Sequence, residues 1–256
     1  MKNVLVFVAH KSGQTPKVTF EMATQARTLA DQLGGKAHAL VVGAGSTKLA
    51  QTLKTYPLDA VHVNDDADVD GFLLDPIVDY VESAARAIGP SLILIANTLT
   101  GKDVAGRVMA RLGAGICADA TDFKIEDGKV EAIMPKMGGA AITTCALRAG
   151  DYGVVTIRPN AFAAAAGGAG ATVQAIDKPS GKNYTVVVEK DVEEGSGELA
   201  LEEAPVVIAG GRGLGGPEPF ESMLKPLAQA FGGAVGASRA AADAGWVPYN
   251  LQIGQT

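Results

Sequence analysis

Residues 206–256 read VVIAGGRGLGGPEPFESMLKPLAQAFGGAVGASRAAADAGWVPYNLQIGQT. Val206–Ala209 is a short apolar run, and the glycine turn Gly210-Gly211-Arg212-Gly213 follows at once. From Pro217 onward Phe220, Met223, Leu224, Leu227 and Phe231 keep helical spacing. The order strand, glycine turn, helix, strand predicts a parallel α/β arrangement. In such a turn backbone N–H groups can approach an anion, and Arg212 adds a charged donor. A second turn, Gly236-Ala237-Ser238-Arg239, follows the apolar Ala234-Val235. It sets another cation at the carboxyl edge of a neighbouring strand, where ligands of open parallel sheets bind. Each part alone is ordinary. A lone GGRG is a common turn, Ser238 reads equally as a helix N-cap, Arg239 as a surface arginine, Gln255 as an exposed amide and Trp246 as a packing residue. Their conjunction marks the stretch as a candidate phosphate site.

Outward from this stretch, the first half alternates strand and helix patterns. The expected elements are a strand at Asn3–Ala9, a helix near Val18–Leu33, a strand at Ala37–Val42 and a short helix near Thr47–Thr55. A strand at Ala60–Val63, a helix at Phe72–Ala87, a strand at Ser91–Ala96 and a helix reaching Leu112 complete the series. That order predicts a Rossmann-like three-layer α/β domain with a parallel sheet and right-handed crossovers. The turn Thr98-Leu-Thr-Gly-Lys-Asp103 invites comparison with a P-loop. Ala96 stands where that motif needs glycine and Asp103 where it needs Ser or Thr, so the reading fails. Lys102 and Asp103 are expected to be turn and helix-start residues. From Ile116 to Val188 short β-branched runs at Ala141–Cys145, Val154–Arg158, Thr172–Ile176 and Tyr184–Val188 predict added strands. Gly138-Gly139 reads as a turn or a close-approach site, and 163–170 as a small-residue loop. Residues 189–204 are acidic around Gly195-Ser196-Gly197 and read as a solvated linker, so the expected domains are 1–188 and 205–256.

Composition narrows the function. The chain has 256 residues, 47% of them hydrophobic, and a formal net charge of −6, which disfavours nucleic acid as a partner. No apolar run approaches a bilayer span, and no cleavable or Arg-rich leader is evident, which predicts a cytoplasmic protein. Cys117 and Cys145 are the two cysteines; they read as buried thiols and are too few for a zinc or iron–sulfur site. His10, His38 and His62 lie in or at the ends of apparent strands and read as hydrogen-bonded structural histidines, so no metal site is expected. No acid, base or nucleophile constellation is present.

GGRGL (210–214), AVGASRAAADAG (234–245) and VPYNLQIGQT (247–256) together resemble the FAD-binding domain of the electron-transfer flavoprotein α subunit, and TLTGKD (98–103) resembles a turn in that family's N-terminal domain. The resemblance implies a second α/β domain that binds FAD, and an electron carrier rather than an enzyme with its own substrate turnover. Arg212 and Ser238 would contact the FAD, Arg239 would lie near the isoalloxazine ring, and Ile253, Gly254, Gln255 and Thr256 would run along the flavin with the Thr256 hydroxyl near N5. A cation beside the ring would raise its reduction potential. Trp246 and Tyr249 stand where the family has less bulky or more polar residues. The family's domain continues beyond the position of Thr256, so the FAD-binding domain is expected to be partial. The implied partners are a β subunit, forming a heterodimer, together with flavin dehydrogenases and a downstream oxidoreductase. The N-terminal domain would hold no cofactor. The alternative reading is a redox-inactive scaffold that only docks a partner subunit.

Overall fold

Strands as uniformly apolar as those of the first half need cover on both faces, the situation of a parallel sheet between helices. The computed structural model describes residues 2–11, 13–67, 69, 73–148, 152–168, 170–180, 201 and 204–254. The chain divides into two compact units, Met1–Glu189 and Lys190–Thr256. The first unit begins with β1 (Asn3–Val8), α1 (Val18–Leu33), β2 (Ala37–Val42), α2 (Ser46–Leu53) and β3 (Ala60–Asn64). It continues with α3 (Leu74–Ile88), β4 (Pro90–Ala96), α4 (Leu99–Leu112), β5 (Gly115–Ala120), β6 (Asp122–Glu126) and β7 (Lys129–Lys136). The strands β8 (Ala141–Ala146), β9 (Gly153–Ile157) and β10 (Thr172–Ala175) follow.

Seven of these strands form one sheet in the order β10-β3-β2-β1-β4-β9-β5, and every neighbouring pair is parallel. Alternate residues of the strands serve two separate cores. Val4, Val6, Val8, Ala39, Val41, Leu92 and Leu94 pack with α1 and α2. Leu5, Phe7, Leu40, Ile93 and Ile95 pack with α3 and α4. The three layers of the sequence reading are therefore present. The glycine of the TLTGKD turn has a structural task, since a Cβ on Gly101 would stand 1.9 Å from Ala96 O. Glycine lets α4 start hard against the end of β4, and Thr98 Oγ1 caps the helix by accepting from the Gly101 N–H at 3.1 Å.

The strands after residue 115 are divided between two sheets. β9 and β5 extend the parallel sheet on one side and β10 on the other. The strands β6, β7 and β8 form an antiparallel sheet whose Val130, Ala132 and Met134 pack into the core on the α1 side. Among these three only β8 was expected. The missed signal is Asp127-Gly128, whose φ values of 50° and 73° suit the two-residue turn joining β6 to β7. Gly138-Gly139 lies in a turn with open space around both residues, which excludes close approach as their reason. The expected strand at 184–188 lies outside the described residues, as does the acidic stretch 189–204 apart from 201 and 204. Cys117 is buried as expected, but Cys145 is only half-buried because β8 is an edge strand with most of its side chains facing out.

The small-residue segment after β9 acts as a strap. It crosses from β9 over α1 to β10 on the far edge of the sheet. The Asn160 N–H donates to Glu21 Oε2 at 3.0 Å, the Ala165 N–H to Thr24 Oγ1 at 3.0 Å, and the Gly167 N–H to Thr55 O at 2.9 Å. Glu21 has no exposed surface, and that burial pushes its carboxyl pKa upward.

On the opposite face, His38 on β2 and His62 on β3 stack, with His38 Nδ1 3.1 Å from His62 Nε2. The pair is an internal contact of the sheet, with His38 Nε2 buried and without a hydrogen-bond partner among the described residues. Burial, then the neighbouring His38, brings the His62 pKa from 6.5 down to about 4. Burial also lowers His38, which Asp59 offsets in part. The unfolded chain takes up protons as pH falls below 6.5, while the folded chain refuses them until pH nears about 4. Stability is therefore expected to fall as acidity increases through that window. Urea unfolding of His62→Gln, compared with the parent at neutral pH and inside the window, is expected to show a shallower loss.

Candidate functional site

The second unit is built on two parallel strands, β11 (Val207–Gly210) and β12 (Ala234–Ala237), in a register that sets Gly210 opposite Ala237. The turns that follow the two strands consequently leave from the same level of the same edge. The helix between the strands starts as a π-helical segment at Phe220–Leu224 and continues as α5 (Lys225–Ala230). Pro226 has no N–H and its ring crowds the preceding turn, which accounts for the widened ladder there. Only Phe220 among the five spaced apolar residues is fully buried, and Met223, Leu227 and Phe231 are exposed among the described residues. Phe220, Ala237 and Ala241 form the local core, joined by Leu214, Leu224 and Trp246, so Trp246 packs.

The first turn holds Arg212 in a single 3-10 turn, Arg212–Leu214, with the guanidinium exposed. Among the described residues the Arg212 side chain has no hydrogen-bond or ion-pair partner, while its carbonyl accepts from the Gly215 N–H at 3.1 Å. Around it the backbone is bare: a Cβ on Gly213, Gly215 or Gly216 would meet nothing within 4 Å. The second turn lies against the first. The Ser238 N–H donates to Gly210 O at 2.8 Å, and a Cβ on Gly211 would stand 3.2 Å from Ser238 Oγ. Ser238 occupies the N-cap position of α6 (Arg239–Asp243), yet its side chain makes no cap hydrogen bond. That hydroxyl is left beside the Gly211 turn. Arg239 is exposed and its Nε donates to Asp243 Oδ2 at 3.3 Å.

A third segment joins the same edge. Gln252 bridges Ala237 in the parallel sense, and the Ile253 N–H donates to Ala237 O at 2.8 Å. Ile253 lies directly on Gly236, where a Cβ would come 2.2 Å from Ile253 Cδ1 and 2.9 Å from Val207 Cγ1. Arg212, Ser238, Arg239, Ile253 and Gly254 thus collect at the carboxyl edge of β11 and β12. Gln255 and Thr256 lie outside the described residues. The contact of Ile253 with Gly236 was not foreseen, although a glycine inside a strand is the usual sign of close backbone or side-chain approach.

The corresponding edge of the first unit is closed on itself. Asn97 Nδ2 donates to Asp119 Oδ1 at 2.8 Å, Thr156 Oγ1 donates to Asn97 Oδ1 at 2.9 Å, and the Asp119 N–H donates to Thr156 Oγ1 at 2.8 Å. Arg158 holds the same carboxylate through Nε and Nη2 and keeps its pKa below the usual range. These residues are widely separated in sequence, and no motif announced them. Among the described residues no group of three His, Cys, Asp or Glu side chains converges to hold a metal ion, and no helix is long and apolar enough to cross a membrane.

Two family patterns together cover the chain. The pattern of the electron transfer flavoprotein domain matches residues 4–208, and that of the electron transfer flavoprotein FAD-binding domain matches residues 200–256. The chain belongs to the electron transfer flavoprotein α-subunit family. It is 37% identical to the electron transfer flavoprotein subunit alpha of Mycobacterium leprae, over all of this chain and 78% of that protein. It is 38% identical to the Mycobacterium tuberculosis subunit alpha, again over all of this chain and 78% of the relative. Protein FixB of Clostridium saccharobutylicum is 32% identical over the whole of this chain and 77% of that protein.

The FAD-binding domain pattern covers both glycine turns. The residues present fit the phosphate part of such a cofactor: an exposed guanidinium, a hydroxyl not spent on its own helix, and a shelf of glycines whose missing side chains leave the backbone approachable. Packing of Ile253 on Gly236 supports this edge. Gly236→Ala is expected to cost about 1–3 kcal/mol through overpacking. Ile253→Ala in the same chain is expected to restore part of that loss, as a double-mutant cycle of urea denaturation would measure.

Proposed function

We propose that this chain is the α subunit of an electron-transfer flavoprotein, which carries electrons on FAD between flavin dehydrogenases and a partner oxidoreductase while paired with a β subunit. The observation that carries the reading is the meeting of the Arg212 turn with the Ser238 hydroxyl at one sheet edge. The matches to α subunits, over all of this chain and 78% of each relative, favour it over a redox-inactive scaffold.

FAD, when bound, supplies reversible storage of one or two electrons. The chain's own residues supply position and charge. Arg212, whose side chain has no internal partner among the described residues, would donate to the pyrophosphate, and the Ser238 hydroxyl would add a neutral donor beside it. Arg239 stands at the start of α6, with its Nε donating to Asp243 Oδ2. Its positive charge lowers the cost of adding negative charge to a neighbouring ring and so raises the potential. By the family resemblance Ile253, Gly254, Gln255 and Thr256 would serve the flavin ring, with the Thr256 hydroxyl assigned to N5.

The test is the visible absorption spectrum of the chain copurified with a β subunit of its family, where bands of bound oxidised flavin are expected and a colourless complex would overturn the reading. Arg212→Ala is expected to weaken FAD retention roughly 10- to 150-fold, the range for losing a charge-assisted hydrogen bond. Arg239→Ala is expected to lower the reduction potential of the bound flavin with little loss of FAD, and Arg239→Lys to lower it less. Unchanged potentials in Arg239→Ala with FAD fully bound would return Arg239 to a surface role.

A further inference from the structure

The two cysteines sit in different sheets, Cys117 on β5 of the parallel sheet and Cys145 on β8 of the antiparallel one. Both nevertheless belong to the core on the α1 side, as does Leu147. The chain leaving β8 runs beside β5 in the opposite direction. Leu147 covers the start of β5, with its Cδ2 3.9 Å from where a Cβ on Gly115 would stand. Two residues earlier on the β8 side and two later on β5, Cys117 Sγ lies 3.9 Å from Cys145 O. The matching offsets make Cys117 and Cys145 facing positions across two packed segments. Among the described residues both thiols are free, Cys117 fully buried and Cys145 half-buried.

We propose that Cys117 and Cys145 form an oxidation site, at which hydrogen peroxide converts the thiol pair into a disulfide that ties β5 to β8. Exposure decides the order of events. Burial, with Cys145 as neighbour, pushes the Cys117 thiol up to about 12, so it stays protonated and unreactive toward solutes. The sulfur of Cys145 is the one a peroxide reaches. It attacks one peroxide oxygen, an S–O bond forms as the O–O bond breaks, and the products are a sulfenic acid and water. The Cys117 sulfur then attacks the Cys145 sulfur. The S–S bond forms, the S–O bond breaks, and the departing hydroxide takes the Cys117 thiol proton as a second water. Two thiols lose two electrons in all, and one peroxide gains them.

A buried reaction partner is what gives the site its character. A sulfenic acid on an isolated surface cysteine waits for a thiol from solution or is oxidised further. Here the second thiol packs in the same core, its sulfur 3.9 Å from the Cys145 carbonyl oxygen. The disulfide would close a loop containing β6 and β7 and link two sheets that, among the described residues, share no backbone hydrogen-bond ladder. Reduction by a dithiol would reopen it.

The experiment treats the purified chain with hydrogen peroxide, alkylates the remaining thiols, and maps peptides without reduction. The expected result is joint loss of both alkylation sites, an intact mass lower by two hydrogens, one cross-linked peptide pair containing Cys117 and Cys145, and full reversal by dithiothreitol. In Cys145→Ser the same treatment is expected to leave Cys117 unoxidised and open to alkylation only after unfolding. In Cys117→Ser the reaction is expected to stop at a sulfenic acid on Cys145 that dimedone traps. Where Cys117→Ser fails to fold, the native-chain map and Cys145→Ser decide alone. Sulfinic acid on Cys145 with Cys117 still free, disulfides only between chains, or no loss of thiols would each overturn the proposal.

Discussion

No residue of Val4–Val8 is more than 2% exposed, so β1 exists only while β2 and β4 satisfy both its edges and helices cover both its faces. The rest of the first unit follows from this requirement. A strand without a wet face cannot alternate polar and apolar residues, and these strands instead divide apolar residues between two cores. The helices must come close. Ala23, Ala26 and Ala30 on α1 and Ala84, Ala85 and Ala105 on α3 and α4 keep the layers thin, and Gly101 removes the last side chain that would hold α4 away from β4. Alanine-rich composition is here a consequence of close parallel layers.

The parts of the fold that depend on local pattern were legible in the sequence. Helical spacing marked α1 and α3, and apolar runs marked β1 to β4 within a residue or two of their ends. What stayed hidden depended on partners distant in the chain. β9 and β10 resemble each other as short β-branched runs, yet one pairs with β4 and the other with β3 at the opposite edge. Nothing local distinguishes them. The Asn97, Asp119, Thr156 and Arg158 network was equally invisible, since its members meet only because three strands end together.

The candidate site shows the same division. The glycine turns and their cations were readable because glycine, arginine and serine at those spacings have local reasons to occur together. The meeting of the two turns rests on the Gly210 to Ala237 register, and the seat of Ile253 on Gly236 rests on packing. Ser238 illustrates how structure changes a reading. Its position suggested a helix cap, but its hydroxyl is not used that way, and it stands instead against the neighbouring turn.

The strap from β9 to β10 carries a consequence for the order in which the sheet assembles. β10 pairs with β3, while its predecessor β9 lies beyond β4, β1 and β2, so the last strand can dock only after the chain has travelled across the finished layer of α1. Closing so long a loop before any ladder forms is slow for entropic reasons. Until it closes, β3 is an outer strand with its backbone donors and acceptors open to any extended chain nearby. The alanines and glycines of the strap thus govern how long a nascent molecule remains adhesive, a property of its folding that the finished architecture conceals.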